Sequence, residues 1–411
     1  MNRLIIILLL LFLFLNAWSK TIRVGKAQAF ITIQAALKVA VDGDTILVDA
    51  GHYHEGNLLV QRSISLIGVN HPILDGDHKY EVISIKADNV LVEGFKVMHS
   101  GVSSIEDFAG IKIYNRHHVI ILNNILEDTF FGIYTQFGTN CIIKNNKLTS
   151  YSTEEQQSGN GIHCWKSDSM QIIANTINGH RDGIYFEFVT HSVIWRNISQ
   201  NNLRYGLHFM FSNNDAYYSN VFAGNGAGVA VMFSKDVTME NNYFEENWGD
   251  GSYGLLLKEI SNSIIYNNRF VKNTTGIFME GVSRVQLAKN VFKDNGWAMK
   301  IQASCMEVVL SKNNFLSNTF DVGTNGSLVL NTFTNNYWDK YEGYDLNKDK
   351  LGDIPYRPVS MYAMIIEQNP PAMILFRSFM SSLLDKTEKI LPSLTPEDLK
   401  DDHPFMKPLP L

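Results

Sequence analysis

Met210 and Met232 stand 22 residues apart, and His208 lies two residues before Met210. Two thioethers and an imidazole brought to one face form a soft ligand set. Such a set selects copper, above all Cu(I), over Mg, Ca or Mn. His208 and Met210 share a face only if their segment is extended. Met232 joins them only if 22 residues return the chain to the next rung of a stacked structure. His163 and Glu187 would then lie one or two rungs away, as further candidate ligands. A harder set follows at Asp345, Asn347, Asp349 and Asp353, spaced like the oxygen ligands of a calcium loop. Lys350 occupies the sixth position, where such loops carry Gly, and a solvated acidic turn is the competing account.

The chain does return at that interval. Asn recurs at 124, 146, 175, 197, 220, 242, 268, 290, 314 and 336, with gaps of 22 to 24 residues apart from two of 29 and 26. A Gly followed by an aliphatic residue recurs at 110, 132, 161, 183, 206, 228, 254 and 276, each 14 residues before its Asn. Short β-branched runs of period two fill the intervals, and no helical periodicity interrupts them. The fold class this implies is all-β, a right-handed parallel β-helix of about thirteen coils. Coils stack at about 4.8 Å, so the rod is about 60 Å long. The recurrent Asn reads as a structural ladder of stacked amides at one turn. Residues 30–41, apolar at helical spacing, should cap the open N-terminal end.

Counting from each Gly, position +1 is aliphatic throughout and +3 is mostly apolar, so both point inward. Position +2 (Lys112, Tyr134, His163, Tyr185, His208, Ala230, Leu256, Phe278) and position +4 (Tyr114, Gln136, Trp165, Glu187, Met210, Met232, Lys258, Glu280) then point outward. This alternation places His208, Met210 and Met232 together on an outer face. The bland alternative is that these side chains pack beneath a loop or a partner. The two long gaps place insertions at 151–159 and 243–253, both flanking this face as the lips of a groove.

Residues 1–19 read as a secretory signal peptide, with Arg3, an apolar run at 4–15 and small residues at 17 and 19. Residues 20–340 form the β-helix, and 341–411 a segment holding nine of the ten prolines. The net charge of −6 and the 18% content of charged residues argue against general nucleic-acid binding. Cys141, Cys164 and Cys305 are an odd set in an exported chain and read as buried free thiols. His52, His54, His117 and His118 read as surface residues at turns. Beyond Pro371, Met373, Phe376, Met380, Leu383 and Leu384 recur at helical spacing, predicting an amphipathic helix of about twenty residues. It either caps the rod or docks on a partner.

Tyr205-Gly206-Leu207-His208-Phe209-Met210-Phe211-Ser212-Asn213, Val231-Met232-Phe233-Ser234 and Gly254-Leu255-Leu256-Leu257-Lys258 resemble the NosD family. So do Asn336-Tyr337-Trp338-Asp339, Gly343-Tyr344-Asp345 and Gly352-Asp353-Ile354-Pro355-Tyr356-Arg357-Pro358. The likeness covers nearly the whole chain beyond residue 19. It implies a periplasmic β-helix without catalysis of its own, attached to an ABC transporter of the ATPase NosF and the membrane subunit NosY. The copper chaperone NosL would supply copper. The assembly would build the copper–sulfide centre of nitrous oxide reductase, a step of denitrification. Under that reading His208, Met210 and Met232 handle copper, and the C-terminal helix docks on the transporter.

An exported β-helix is also a common scaffold for polysaccharide lyases, hydrolases and epimerases. A glycosidic pair of carboxylates stands about 5–10 Å apart. The only carboxylates on the outward ladder, Glu187 and Glu280, should be four coils, or about 19 Å, apart.

Overall fold

A computed structural model describes residues 19–103, 106–326, 330–376, 378–390 and 399–411. The predicted signal peptide falls almost wholly outside them. The described chain winds as a right-handed parallel β-helix with sheets of 14, 12 and 13 strands. Each strand pairs in parallel only with its equivalents one coil before and after. The expected inward positions are confirmed: all eight residues at +1 and all eight at +3 are fully buried. A column of rings, Phe222, Phe244, Phe270, Phe292, Phe315 and Trp338, fills the C-terminal half of the core, with centroids 4.0–5.5 Å apart. All three cysteines are buried and free.

Buried turns need internal partners for their amides, and the Asn ladder supplies them. Each ladder Oδ1 accepts the backbone N–H of the preceding Asn, as Asn242 does for Asn220 at 3.0 Å. Each Nδ2 donates to a carbonyl inside the coil, as Asn242 does to Tyr217 at 3.0 Å. One rung differs from the sequence reading: the ladder runs through Asn313, not Asn314. Asn314 instead bonds the backbone of Leu409 in the C-terminal tail. A second ladder, unexpected from the sequence, runs through Asn202, Asn225, Asn247, Asn273, Asn295 and Asn318. Its members stand five residues after those of the first ladder, a constant offset that was visible in the sequence.

The N-terminal cap is helix α1 (Ile33–Val39), shorter than predicted because Thr32 caps its start and Ala40 leaves the helical region. Both oxygens of Glu55 accept its first amides, Ile33 and Gln34, at 2.8 Å. Such a charge at a helix N-terminus is favourable. At the other end the single amphipathic helix predicted from Pro371 is replaced by two pieces, preceded by a helix the sequence did not show. Helix α2 (Met361–Gln368) is followed by a 3-10 segment (Pro370–Leu375) and helix α3 (Phe379–Ile390). Two prolines start the tighter 3-10 winding, and the chain breaks before α3. The tail then returns to the rod, where Asp401 takes the place of the next Asn. Its Oδ2 accepts Asn336 N at 2.8 Å, Asn336 Nδ2 at 3.0 Å and Trp338 Nε1 at 3.1 Å.

Candidate functional site

Parallel register puts the outward ladder of the 12-stranded sheet in the predicted order. His208 is opposite Tyr185 and Ala230, and Met210 is opposite Glu187 and Met232. Adjacent strands lie about 4.8 Å apart, so the two methionines are immediate neighbours. Both are half-buried.

Position +2 differs from the expectation of an open outer face. Lys112, Tyr134, His163, His208 and Ala230 are buried, although they point away from the main core. Alternation fixes a side chain's direction but not what lies above it. Here the rings cover one another. Tyr134, His163, Tyr185 and His208 form a column with successive centroids 4.5, 4.8 and 4.6 Å apart. Phe131 and Tyr205 close its flanks, at 5.5 Å from His163 and 4.9 Å from His208.

Asp182 is buried beside this column and carries a paired contact from Arg204, 2.8 Å to Nε and 2.5 Å to Nη2. Burial alone would raise its pKa, but the Arg204 bonds and the nearby His208 hold the carboxyl down to about 2. His208 Nδ1 lies 3.5 Å from Asp182 Oδ2, and both its ring nitrogens are buried without a hydrogen-bond partner. His163 Nε2 is likewise unpartnered, and burial, aided by the Arg181 charge, pushes its pKa down to about 3. It is therefore neutral at neutral pH, as a ligand must be. The unpartnered His208 ring, two residues from Met210 on one strand and one coil from Met232, offers with them the donor types of a soft-cation site.

An aromatic strip beside the methionines was missed in the sequence. At position +5, Phe137, Phe188, Phe211 and Phe233 are 39–44% exposed. Phe188, Phe211 and Phe233 stack at 5.1 and 5.2 Å. All four have φ of 52–54°, the left-handed region that favours Gly or Asn. The readable signal was an aromatic recurring where the turn prefers Asn, as at Asn115 on the same ladder.

The insertions lie where expected, with one narrower. A 3-10 turn, Glu155–Gln157, forms in the first, while Tyr243–Glu245 is already strand, so the second spans only 246–252. Glu187 and Glu280 are separated by the strands carrying Met210, Met232 and Lys258. At 345–353 the carboxylates bind the loop's own amides. Asp345 accepts Lys348 N at 2.6 Å and Lys350 N at 2.9 Å, and Asp353 accepts Leu346 N at 2.6 Å. In the C-terminal segment Met373, Phe376, Met380 and Leu383 are 40–48% exposed, with Ile374 at 88% and Phe379 at 82%. Leu384 turns inward and packs against the buried cluster of Trp297, Phe320, Tyr362, Ala363 and Ile366.

Comparison with known proteins agrees with the earlier resemblance. The family model described as periplasmic copper-binding protein (NosD) matches residues 149–343. A probable ABC transporter binding protein NosD of Stutzerimonas stutzeri is 25% identical over 404 residues, covering 93% of this chain and 92% of the relative. Its namesake in Pseudomonas aeruginosa is 25% identical over 402 residues, 93% of each chain. Among solved structures, a family 28 exopolygalacturonase of Yersinia enterocolitica superposes with a TM-score of 0.55 at 11% identity, over 78% of this chain and 79% of that one. PfbA, a surface adhesin of Streptococcus pneumoniae, gives 0.55 at 12% identity, over 71% and 89%. At these identities the two structures share the fold alone. Residues 149–343 thus match the NosD family model, and along nearly its full length the chain is similar in sequence to proteins of that name.

Proposed function

We propose that this chain is a periplasmic copper-handling maturation factor, exported by its signal peptide and without catalysis of its own. It works with an ABC transporter of the NosF and NosY type, receives copper from a NosL-type chaperone, and serves assembly of the copper–sulfide centre of nitrous oxide reductase. The observation that carries the reading is the Met210–Met232 pair in register beside His208, whose Nε2 is buried and unpartnered. Thioether and neutral imidazole are ligands for Cu(I). The family description and the relatives' names support the copper and transporter parts. The strip of exposed phenylalanines supports docking of a partner at the same face. No described helix is long and apolar enough to cross a membrane. The exposed apolar side of the 3-10 segment and α3 offers a surface for attachment to the transporter.

The test is an anaerobic Cu(I) titration against a competing chelator, with the Met210→Ala/Met232→Ala variant alongside. Wild-type binding weakened at least a hundredfold in the variant is expected. Equal binding by both would place copper elsewhere. A lyase, hydrolase or epimerase is the second reading, since the fold hosts such enzymes. The separation of Glu187 from Glu280 counts against it.

A further inference from the structure

The third sheet begins with the strands His52–Tyr53, Ile73–Asp75, Lys96–Met98 and Ile125–Glu127. Where these strands turn, four of the chain's twelve histidines gather around carboxylates. The candidate ligand atoms of His52, His54 and Asp75 lie within 4.8 Å of one another, and so do those of His78, His99 and Asp128. The sequence reading treated His52 and His54 only as surface residues, because their partners arrive from later coils.

The first group is built around a buried carboxylate. Asp75, with a side chain 7% exposed, meets His52 Nε2 at 2.9 Å and His99 Nδ1 at 3.0 Å, and its Oδ1 accepts Asp77 N at 3.0 Å. The backbone and His99 fix the carboxylate in place. His52 and His54 are half exposed and pack ring against ring, centroids 4.1 Å apart. Asp77 Oδ1 bonds His54 Nδ1 at 2.7 Å, which fixes the tautomer that leaves Nε2 as the ligating nitrogen. His78 and His99 form a second ring pair at 4.5 Å, and His78 N donates to the His99 carbonyl at 2.9 Å. Ligand atoms around an ion bound at about 2.1 Å stand roughly 3 to 3.5 Å apart. The His52–Asp75 separation of 2.9 Å is close to that spacing, and the His54 ligand atom, within 4.8 Å of both, reaches it by a small shift of the exposed His54 and Asp77 side chains together.

We infer that this corner of the rod is a binding site for a divalent transition-metal ion, held by His52, His54 and Asp75, with His78, His99 and Asp128 as an adjoining second set. Two imidazoles and one carboxylate leave an open coordination position and suit Zn(II) or Cu(II). The ion takes the place of the His52–Asp75 hydrogen bond. The site is separate from the methionine face and does not depend on the function proposed above.

The test uses the exported full chain with each metal alone. Calorimetric titration with Zn(II) should give saturable binding. Cu(II) should give an electron paramagnetic resonance spectrum with nitrogen superhyperfine structure. His52→Ala/His54→Ala should weaken binding at least tenfold and remove one equivalent, and His78→Ala, which leaves His99 on Asp75, should remove the other. Met210→Ala/Met232→Ala should leave both unchanged, so failure here and failure of the Cu(I) reading are distinguishable. Asp77→Asn, which withdraws only the support of His54, should weaken binding without loss of folded signal. A wild type that binds neither ion, or a His52/His54 variant that binds as the wild type does, overturns the inference.

Discussion

His180 shows what a single residue contributes to this fold. It is fully buried, both ring nitrogens lack a hydrogen-bond partner, and burial pushes its pKa down to about 4. It sits at the place in the second ladder where later coils carry Asn, and its N–H bonds Asn202 at 3.0 Å. The unfolded chain takes up the proton near pH 6.5 and the folded one near 4. The fold therefore keeps its full stability above pH 6.5 and loses it progressively as pH falls through that window. Between pH 7 and pH 5 the loss from this residue is about 2 kcal/mol. His180→Leu should have a shallower fall in thermal midpoint from pH 7 to pH 5 than the wild type; parallel slopes would assign the acid sensitivity elsewhere. Directions such as those of His208 and Met210 were legible in the sequence, because alternation on a strand is a local property. The burial of His208 was not, because it depends on Tyr185 and Tyr205, which the coil geometry sets against it.

At the scale of elements, the ladders and the C-terminal helices behave differently. Each ladder rung satisfies groups in two other coils, so a loss spreads. Asn242→Ala would leave Asn220 N and Tyr217 O without this partner, and Asn220 Nδ2 with only the Ile194 carbonyl. Each buried unpaired group costs about 1–3 kcal/mol, so a total of about 2 kcal/mol or more should appear as an earlier urea midpoint. The repeat made the first ladder legible, apart from the choice between the adjacent Asn313 and Asn314, where spacing alone could not decide. The helices were less legible. Apolar recurrence after Pro371 was read as one element, but two adjacent prolines favour a tighter turn before α3. Replacing the exposed Ile374, Phe379 and Leu383 by Ser should abolish co-purification with the transporter's membrane subunit and shift the thermal midpoint little. A retained complex would assign these helices to capping alone.

For the whole molecule, stability is close to a sum of coils and the interfaces between neighbours. The fold class was fully legible because the period repeats along most of the chain, so each coil restated the evidence. Contacts between residues of unlike type were not. Asp75 meets His52 and His99 one coil away on either side, and Asp401 closes the ladder at Asn336 from 65 residues on, with no recurring motif to mark them. Removal of the whole C-terminal segment is therefore a poor test of docking, since it also takes away Asp401.

The return of the tail to the rod has a mechanical consequence. Helices α2 and α3 lie between two anchors, the last coil at Trp338 on one side and Asp401 on the other. They form a handle fixed at both ends rather than a free tether. Leverage applied to that handle by a moving partner reaches the terminal rung from both sides, and so bears on the rod as a unit.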